Sequence, residues 1–88
     1  MAHLDAETLK LKQRYGQEFV QVGALYYHYR NPQVLYRVLA IGFQEATDEV
    51  CVIYQNLEND VIWVRNLGSW LSSVTKDNQT VPRFTKVD

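Results

Sequence analysis

After Gly23 the chain is divided into short runs of apolar and aromatic residues, and segments rich in Asn, Asp and Glu separate each run from the next. β-Branched and aromatic residues suit the pleated surface of a sheet, so these runs predict β-strands. The expected strands cover residues 25–30, 34–43, 50–55, 61–65, 72–75 and 80–84. Such an arrangement is typical of antiparallel hairpins that follow one another along the chain.

The polar segments predict the turns that join these strands. The expected hairpin connections are residues 45–48, 56–60 and 76–79. Asn31-Pro32 is a predicted turn, because proline fixes its own φ and donates no hydrogen bond. For the same reason, Pro82 is expected to hold the last strand at a sheet edge. Residues 66–71 lose the period of two and contain a glycine, which predicts one short helical turn.

The run over residues 34–43 is the strongest strand in the sequence. Because side chains alternate between the two faces of a strand, this run presents two sets of residues. One face carries Leu35, Arg37, Leu39, Ile41 and Phe43, and the other carries Val34, Tyr36, Val38 and Ala40. Both sets are mostly apolar, which predicts a strand that is covered on both faces.

The segment before Gly23 has helical periodicity. Asp5 is a candidate N-cap, and the apolar residues that follow recur at helical spacing. These residues are Leu4, Leu11, Tyr15, Phe19 and Val22. We predict a helix that ends near Gly16, because glycine weakens a helix interior by about 1 kcal/mol relative to alanine. Residues 9–12 also fit a strand. The segment is expected to lie against the domain, cover an edge or mediate self-association.

With 88 residues and a hydrophobic fraction of 47%, the chain is large enough for one core. Five or six short strands are too few for two full sheets, whereas a bent sheet that closes on itself buries one apolar face economically. The predicted fold class is mainly β: a small SH3-like barrel of five or six antiparallel strands with an N-terminal helix and one short helical turn. Residues 1–22 are the predicted helical extension and residues 23–88 the barrel domain. The alternative is an open antiparallel sheet packed on the helix.

Composition limits the classes of protein to which the chain can belong. Cys51 is the single cysteine, so no intramolecular disulfide forms, and its apolar neighbours predict an inert buried thiol. No glycine-rich phosphate loop, catalytic-triad pattern or metal-ligand spacing occurs, so we predict no catalytic residue, cofactor or metal. Since there is no basic and apolar leader and no run of about 20 apolar residues, we expect a cytoplasmic protein without a membrane partner.

Five short motifs occur in the order and at the spacing found in one bacterial family. They are Tyr26-Tyr27-His28-Tyr29-Arg30, Leu35-Tyr36-Arg37-Val38-Leu39-Ala40-Ile41, Val52-Ile53-Tyr54-Gln55, Trp63-Val64-Arg65 and Val81-Pro82-Arg83-Phe84. From Gly23 to Phe84 the chain therefore resembles the family catalogued as domain of unknown function 1653. The resemblance implies a compact SH3-like β-barrel, and it implies no established activity, substrate or cofactor.

The chain departs from the family pattern at several positions. Gln44-Glu45-Ala46-Thr47 stands where members usually show H-S-E-T, so a functional histidine in that hairpin would be missing here. Asn66 stands in place of a proline after the W-V-R triplet, and Asn31 in place of a glycine after the opening motif. The segment before Gly23 is also longer than the family leads us to expect.

Five residues are candidate ligand-binding residues: His28, Arg30, Gln55, Trp63 and Arg65. A histidine titrates near neutral pH, and an arginine beside a tryptophan can stack on the indole or offer a planar fork to an anion. Three of them also have a structural interpretation. His28 can bond to the backbone, Arg65 can pair with a nearby carboxylate, and Gln55 can bridge two loops.

We hypothesise a non-enzymatic binding module whose aromatic and arginine surface recognises a protein, a peptide or a small anionic ligand. Aromatic residues make up 12% of the chain, and catalytic patterns are missing. One alternative is a small oligomeric enzyme, acting as a homodimer, in which His28 performs acid–base chemistry and Arg65 holds an anion at the interface. A weaker alternative is the binding of single-stranded nucleic acid by stacking, which the net charge of −1 does not favour.

Overall fold

The structure, a computed structural model, describes residues 3–87, and these contain two helices and seven strands. The helices are α1 (Ala6–Phe19) and α2 (Leu67–Leu71). The strands are β1 (Leu25–His28), β2 (Asn31–Gln44), β3 (Glu49–Asn56), β4 (Ile62–Asn66), β5 (Ser73–Lys76), β6 (Gln79–Pro82) and β7 (Phe84–Val87). The outermost residues of the two predicted regions, 1, 2 and 88, lie outside the described residues.

The strands form one five-stranded antiparallel sheet in the order β4-β3-β2-β1-β7 and a separate two-stranded sheet of β5 and β6. The prediction of a mainly β fold with an N-terminal helix is confirmed. The predicted closure into a barrel is wrong, because β5 and β6 pair with each other and do not bridge the two edges of the larger sheet. β4 and β7 remain as those edges.

The predicted last strand over residues 80–84 is two strands, because the chain changes partner at Arg83. The amide of Arg83 donates to the carbonyl of Ser72 at 3.0 Å, and its carbonyl accepts from the amide of Tyr29, also at 3.0 Å. These two bonds turn the chain from the small hairpin to the main sheet. Pro82 belongs to a sheet with only two strands, so its position at an edge is confirmed.

The predicted turn at Asn31-Pro32 is displaced toward the N-terminus. His28 pairs with Asn31 across the hairpin, so Tyr29 and Arg30 form the turn. Pro32 lies at the start of β2, outside the residues that pair with β3. Its missing N–H therefore leaves that ladder intact, since no β3 partner faces it.

The other predicted turns are confirmed, and each uses Asp or Asn in the left-handed region of backbone space. Asp48, Asp60, Asp77 and Asn78 have φ values of 59°, 63°, 52° and 64°. Short polar side chains tolerate this region better than other non-glycine residues do. The helical turn predicted near residue 66 is α2, and the side chain of Asn66 caps it by accepting from the amide of Gly68 at 2.8 Å.

A bulge in β2 changes which of its residues face the core. Val38 pairs with Tyr54 and Ala40 pairs with Ile53, so Leu39 is an extra residue without a partner. As a result, Val38 and Ile41 are both buried on the same face, although an uninterrupted alternation would separate them. The predicted division of residues 34–43 into two faces is therefore wrong beyond Val38, and Leu39 and Ala40 are exposed.

Helix α1 packs against β2 and β3 through Gly16, its one buried residue. Asp5 caps the helix by accepting from the amide of Thr8 at 2.8 Å. The helix continues past Gly16 to Phe19, because the missing side chain allows close contact with the sheet and does not end the helix. The predicted apolar stripe faces outward, and Leu11 and Tyr15 are 58% and 56% exposed.

The core lies on the inner face of the main sheet, beneath the helices. Its buried members are Val20, Tyr26, Val38, Ile41, Val52, Tyr54, Leu67, Trp70 and Phe84. Trp70 of α2 stacks on Phe84 of β7 with ring centroids 3.7 Å apart and planes inclined by 5°. Within residues 3–87, neither helix combines the length and the apolar character that crossing a bilayer requires.

Replacing Gly16 with valine is expected to lower the free energy of unfolding by about 1–3 kcal/mol, the usual cost of overpacking. A Cβ at this position would lie 3.0 Å from Cγ2 of Ile41 and 3.3 Å from Cγ1 of Val50. Urea denaturation measures the loss. Gln17→Val, which adds the same side chain to the exposed neighbouring position, should change stability by less than about 0.5 kcal/mol. Equal losses in the two variants would contradict a tight contact at Gly16.

Candidate functional site

Strand β4 places Trp63 and Arg65 on the inner face of the main sheet. Trp63 pairs with Tyr54 and Arg65 pairs with Val52. Both partners belong to the buried core, and residues directly opposite in an antiparallel pair share a face. The two candidate residues therefore point to the side on which the core lies.

Strand β1 lies toward the opposite edge of the main sheet from β4, and it places His28 on the same inner face. His28 pairs with Phe84 of β7, and the two rings meet edge to face with centroids 5.0 Å apart. The Tyr29-Arg30 turn follows at once, so Arg30 lies beside the imidazole. The amide of Arg30 donates to Nδ1 of His28 at 3.2 Å.

These elements surround a concave pocket of about 350 Å³. Its walls carry three cationic or titratable groups, four aromatic rings and three amides. They are His28, Arg30 and Arg65; Tyr36, Tyr54, Trp63 and Phe84; and Asn31, Asn56 and Asn59. The structure thus brings together four of the five candidate residues of the sequence.

Gln55, the fifth candidate residue, does not line the pocket. It follows the buried Tyr54 along β3, so its side chain points to the opposite face. Its Nε2 donates to the carbonyl of Asp60 at 3.2 Å. Gln55 therefore holds the turn between β3 and β4, which corresponds to the structural interpretation of this residue.

The imidazole of His28 is uncharged at neutral pH. Burial lowers its pKa below the usual value of about 6.5, and the positive charges of Arg65, Arg83 and Arg30 lower it further, in that order. Because Nδ1 accepts a hydrogen bond from the Arg30 amide, the ring proton is on Nε2. His28 therefore offers an N–H donor and no acceptor to a ligand.

The two arginines of the pocket are held by neutral oxygens. Arg65 donates from Nε to the hydroxyl of Tyr54 at 3.4 Å and from Nη1 to the hydroxyl of Ser69 at 3.0 Å. Arg30 donates from Nε to the hydroxyl of Tyr29 at 2.9 Å. These bonds use part of each guanidinium, which has five N–H donors in all.

No carboxylate lines the pocket to neutralise these charges. Within the described part of the chain, the ion pair found between side chains joins His3 and Asp48, which lie outside the pocket. The suggestion that Arg65 pairs with a nearby carboxylate is therefore wrong. The guanidinium of Arg65 lies over the ring of Phe84, 5.4 Å from its centroid.

Two asparagines of the pocket have their side-chain orientation fixed by the turn between β3 and β4. Oδ1 of Asn56 accepts from the amides of Glu58 and Asn59 at 2.8 and 3.3 Å. Oδ1 of Asn59 accepts from the amide of Val61 at 3.0 Å. A backbone N–H can only donate, so the oxygens must face the turn and the NH₂ groups remain to donate elsewhere.

The sequence interpretation missed most of the pocket walls, namely Asn31, Tyr36, Tyr54, Asn56, Asn59 and Phe84. Tyr54 and Phe84 occur within the motifs quoted above, and Tyr54 lies directly opposite Trp63. The asparagines carry the composition of turns, so nothing in the sequence alone separates their structural role from a binding role. Their place in the pocket follows from the strand register.

Cys51 does not belong to the site. It is buried, its Sγ lies 3.5 Å from the carbonyl oxygen of Glu49, and burial raises the pKa of its thiol. A buried thiol with a raised pKa is a poor nucleophile. Among residues 3–87, no group of three His, Cys, Asp or Glu side chains is arranged to hold a metal ion.

Comparisons with known proteins agree on one family. Residues 24–86 match the model of a family described as protein of unknown function (DUF1653). The chain is also similar to a crystal structure of a DUF1653 protein from Bordetella bronchiseptica, with 29% identity, a TM-score of 0.65, and coverage of 74% of this chain and 85% of the other. No curated protein matches the chain.

Removing the positive charge of Arg65 should raise the pKa of His28 toward about 6.5, with burial retaining part of the depression. NMR titration of Arg65→Gln in a His3→Gln background, which leaves one imidazole, measures this shift. Arg37 lies opposite Gln55, on the outer face of the sheet, away from the pocket. Arg37→Gln removes the same charge there and should leave the His28 pKa unchanged. If both variants gave the parent pKa, the proximity of the two groups would be refuted.

The depressed pKa of His28 also predicts a direction for stability against pH. Between its folded pKa and about 6.5, the unfolded chain binds more protons than the folded chain, so stability falls as pH decreases through this window. In a His3→Gln background, His28→Gln should flatten this part of a urea-denaturation profile. An unchanged slope would contradict the assignment.

Proposed function

The chain belongs to DUF1653, a family of proteins of unknown function, and we propose that it is a non-enzymatic binding module whose pocket recognises an anionic ligand. The observation that carries the proposal is the abundance of N–H donors in a pocket that no carboxylate lines. Five of its polar side chains offer N–H donors and no free acceptor, whereas the amide of Asn31 has both; the five are His28, Arg30, Asn56, Asn59 and Arg65. The acceptors of the neutral three are already engaged within the protein.

A pocket of this kind needs a ligand rich in acceptors. An ionised carboxylate offers about four lone-pair positions, which is fewer than the available N–H groups of two guanidiniums, one imidazole and two amides. A tetrahedral oxyanion such as a phosphoryl or sulfate group has more acceptor positions and suits the fork of an arginine. A phosphoryl or sulfate group is therefore the preferred anionic part of the ligand.

The aromatic walls indicate that the ligand also has a flat or apolar part. Trp63 is 52% exposed, so its indole has free surface beside the arginines. Tyr36, Tyr54 and Phe84 also line the pocket and contact one another edge to face, with centroids 5.6 to 6.2 Å apart. Because such rings contribute stacking and apolar contact, a ring attached to the anion should bind more tightly than the free anion.

Phenyl phosphate combines both parts and is the probe for a first experiment. NMR titration should show shifts at His28 and at the indole of Trp63, with tighter binding than for inorganic phosphate, benzoate or phenol. Arg65→Gln should weaken binding by about 10- to 100-fold, the usual loss of about 1.5–3 kcal/mol for a charge-assisted hydrogen bond. Arg37→Gln removes the same charge from the outer face and should have little effect.

Two results would overturn this proposal. Phenol that binds as tightly as phenyl phosphate would show that the anion contributes nothing. Equal weakening by Arg65→Gln and Arg37→Gln would show a general effect of charge and no specific site. A parallel titration with a short single-stranded oligonucleotide tests the nucleic-acid alternative, which requires strong salt dependence and contacts beyond the pocket.

Binding of an oxyanion should raise the pKa of His28, because a negative charge stabilises the imidazolium. Affinity for phenyl sulfate, which does not titrate near neutral pH, should therefore increase as pH falls below about 6.5. Isothermal titration calorimetry at several pH values measures the change. His28→Gln should remove this dependence, and an affinity independent of pH in the parent protein would exclude His28 from contact with the anion.

A further inference from the structure

A third arginine lies beside the pocket without lining it. Arg83 connects β6 to β7 and directly precedes Phe84, and its side chain is partly buried. Its Nε donates to the hydroxyl of Ser72, the C-cap of α2, at 3.0 Å. Within residues 3–87 this is the hydrogen bond that the guanidinium makes, so the described part of the chain leaves both of its terminal NH₂ groups unused.

Arg65 and Arg83 are held at the same end of α2. Arg65 donates to the hydroxyl of Ser69 at 3.0 Å, and the hydroxyl of Ser72 donates to the carbonyl of Ser69 at 2.7 Å. The two guanidiniums are therefore bound by hydroxyls three residues apart. A hydroxyl orients a guanidinium but carries no negative charge, so neither arginine is neutralised by the helix that holds it.

Three arginine charges act together on His28. After burial, the charges that lower the pKa of this imidazole are those of Arg65, Arg83 and Arg30, in that order. Arg83 thus affects the imidazole more than Arg30 does, although only Arg30 lines the pocket. No carboxylate lines the pocket, and within residues 3–87 no arginine forms an ion pair with a carboxylate. The site therefore has three positive charges and no negative charge of its own.

We propose that the pocket selects a dianion, the phosphomonoester of a ring-bearing compound, in preference to a sulfate ester or a phosphodiester. This inference rests on the proposed anion-binding function and adds to it the charge of the ligand. A phosphomonoester loses its second proton with a pKa of about 6, so near pH 8 it carries about two negative charges. A sulfate ester and a phosphodiester each carry one.

Charge separates these ligands where hydrogen bonding does not. A sulfate ester and a phosphomonoester both present three terminal oxygens in a tetrahedral arrangement, so the N–H groups of the pocket fit the two equally well. A dianion offsets two of the three arginine charges, whereas a monoanion offsets one. A concave site lined by one sign of charge focuses its potential on the ligand, so the second negative charge strengthens binding.

The part of Arg83 in this selection is electrostatic. It does not line the pocket, so it raises the positive potential at the anion without contacting it. Its loss should therefore weaken a dianion more than a monoanion. This distinguishes it from a residue that only holds α2 to the last strand, whose loss would affect both ligands alike.

Isothermal titration calorimetry at pH 8 with phenyl phosphate, phenyl sulfate and methyl phenyl phosphate tests the selection in the parent protein. His28 is neutral at this pH, so its protonation does not contribute. Phenyl phosphate should bind about tenfold or more tightly than either monoanion. Equal affinities for the three esters would overturn the selection of a dianion and leave the anion-binding proposal intact. Binding of none of them would overturn both.

Arg83→Gln tests the role of the third arginine. The ratio of the dissociation constant of phenyl sulfate to that of phenyl phosphate should fall by about threefold or more, because the variant lowers the potential that acts on the second charge. A smaller fraction of folded protein would change both constants alike, so the ratio is insensitive to it. Arg37→Gln removes the same charge from the outer face and should leave the ratio unchanged. An unchanged ratio in Arg83→Gln, or an equal fall in both variants, would refute the role of Arg83.

Discussion

The stack of Trp70 on Phe84 joins the architecture of this protein to its pocket. One ring belongs to α2 and the other to β7, and they lie parallel at 3.7 Å. Phe84 also contacts His28 and lies beneath Arg65, so the ring that anchors the last strand supports two of the polar side chains of the site. Aromatic pairs add about 0.5–1.5 kcal/mol beyond their buried area, and this cluster uses that energy to hold an open sheet together.

The pocket presents mainly N–H donors because hydrogen bonds within the fold already use the acceptor atoms of three of its side chains. The oxygens of Asn56 and Asn59 close the turn between β3 and β4, and Nδ1 of His28 holds the Arg30 turn. Each of these bonds is an ordinary structural device when considered alone. Together they leave mainly N–H groups facing one concavity that no carboxylate lines, so the hydrogen bonds that stabilise the turns also set the donor character of the pocket.

The sequence predicted the strands, most turns and the capped N-terminal helix, because these depend on local periodicity and turn chemistry. It gave the open sheet only as the alternative to a barrel, and it did not predict the change of partner at Arg83 or the outward stripe of α1, since these depend on which distant segments pair. The bulge at Leu39 was likewise not predicted from the sequence. Four of the candidate site residues line one pocket, whereas Gln55 supports a turn. The alternation of a strand predicts the face on which a side chain lies, but it does not predict which residues surround that side chain.

The bulge at Leu39 makes one residue of β2 dispensable to the pairing of the sheet. Leu39 has no partner across the sheet and is exposed, so the ladder places no demand on the type of its side chain. Deleting it would leave Val38 and Ile41 two residues apart, the spacing at which side chains of a regular strand share a face, so both would still face the core and only the local bend would be lost. Alignments of related chains should therefore show tolerance at this position both to substitution and to a gap of one residue.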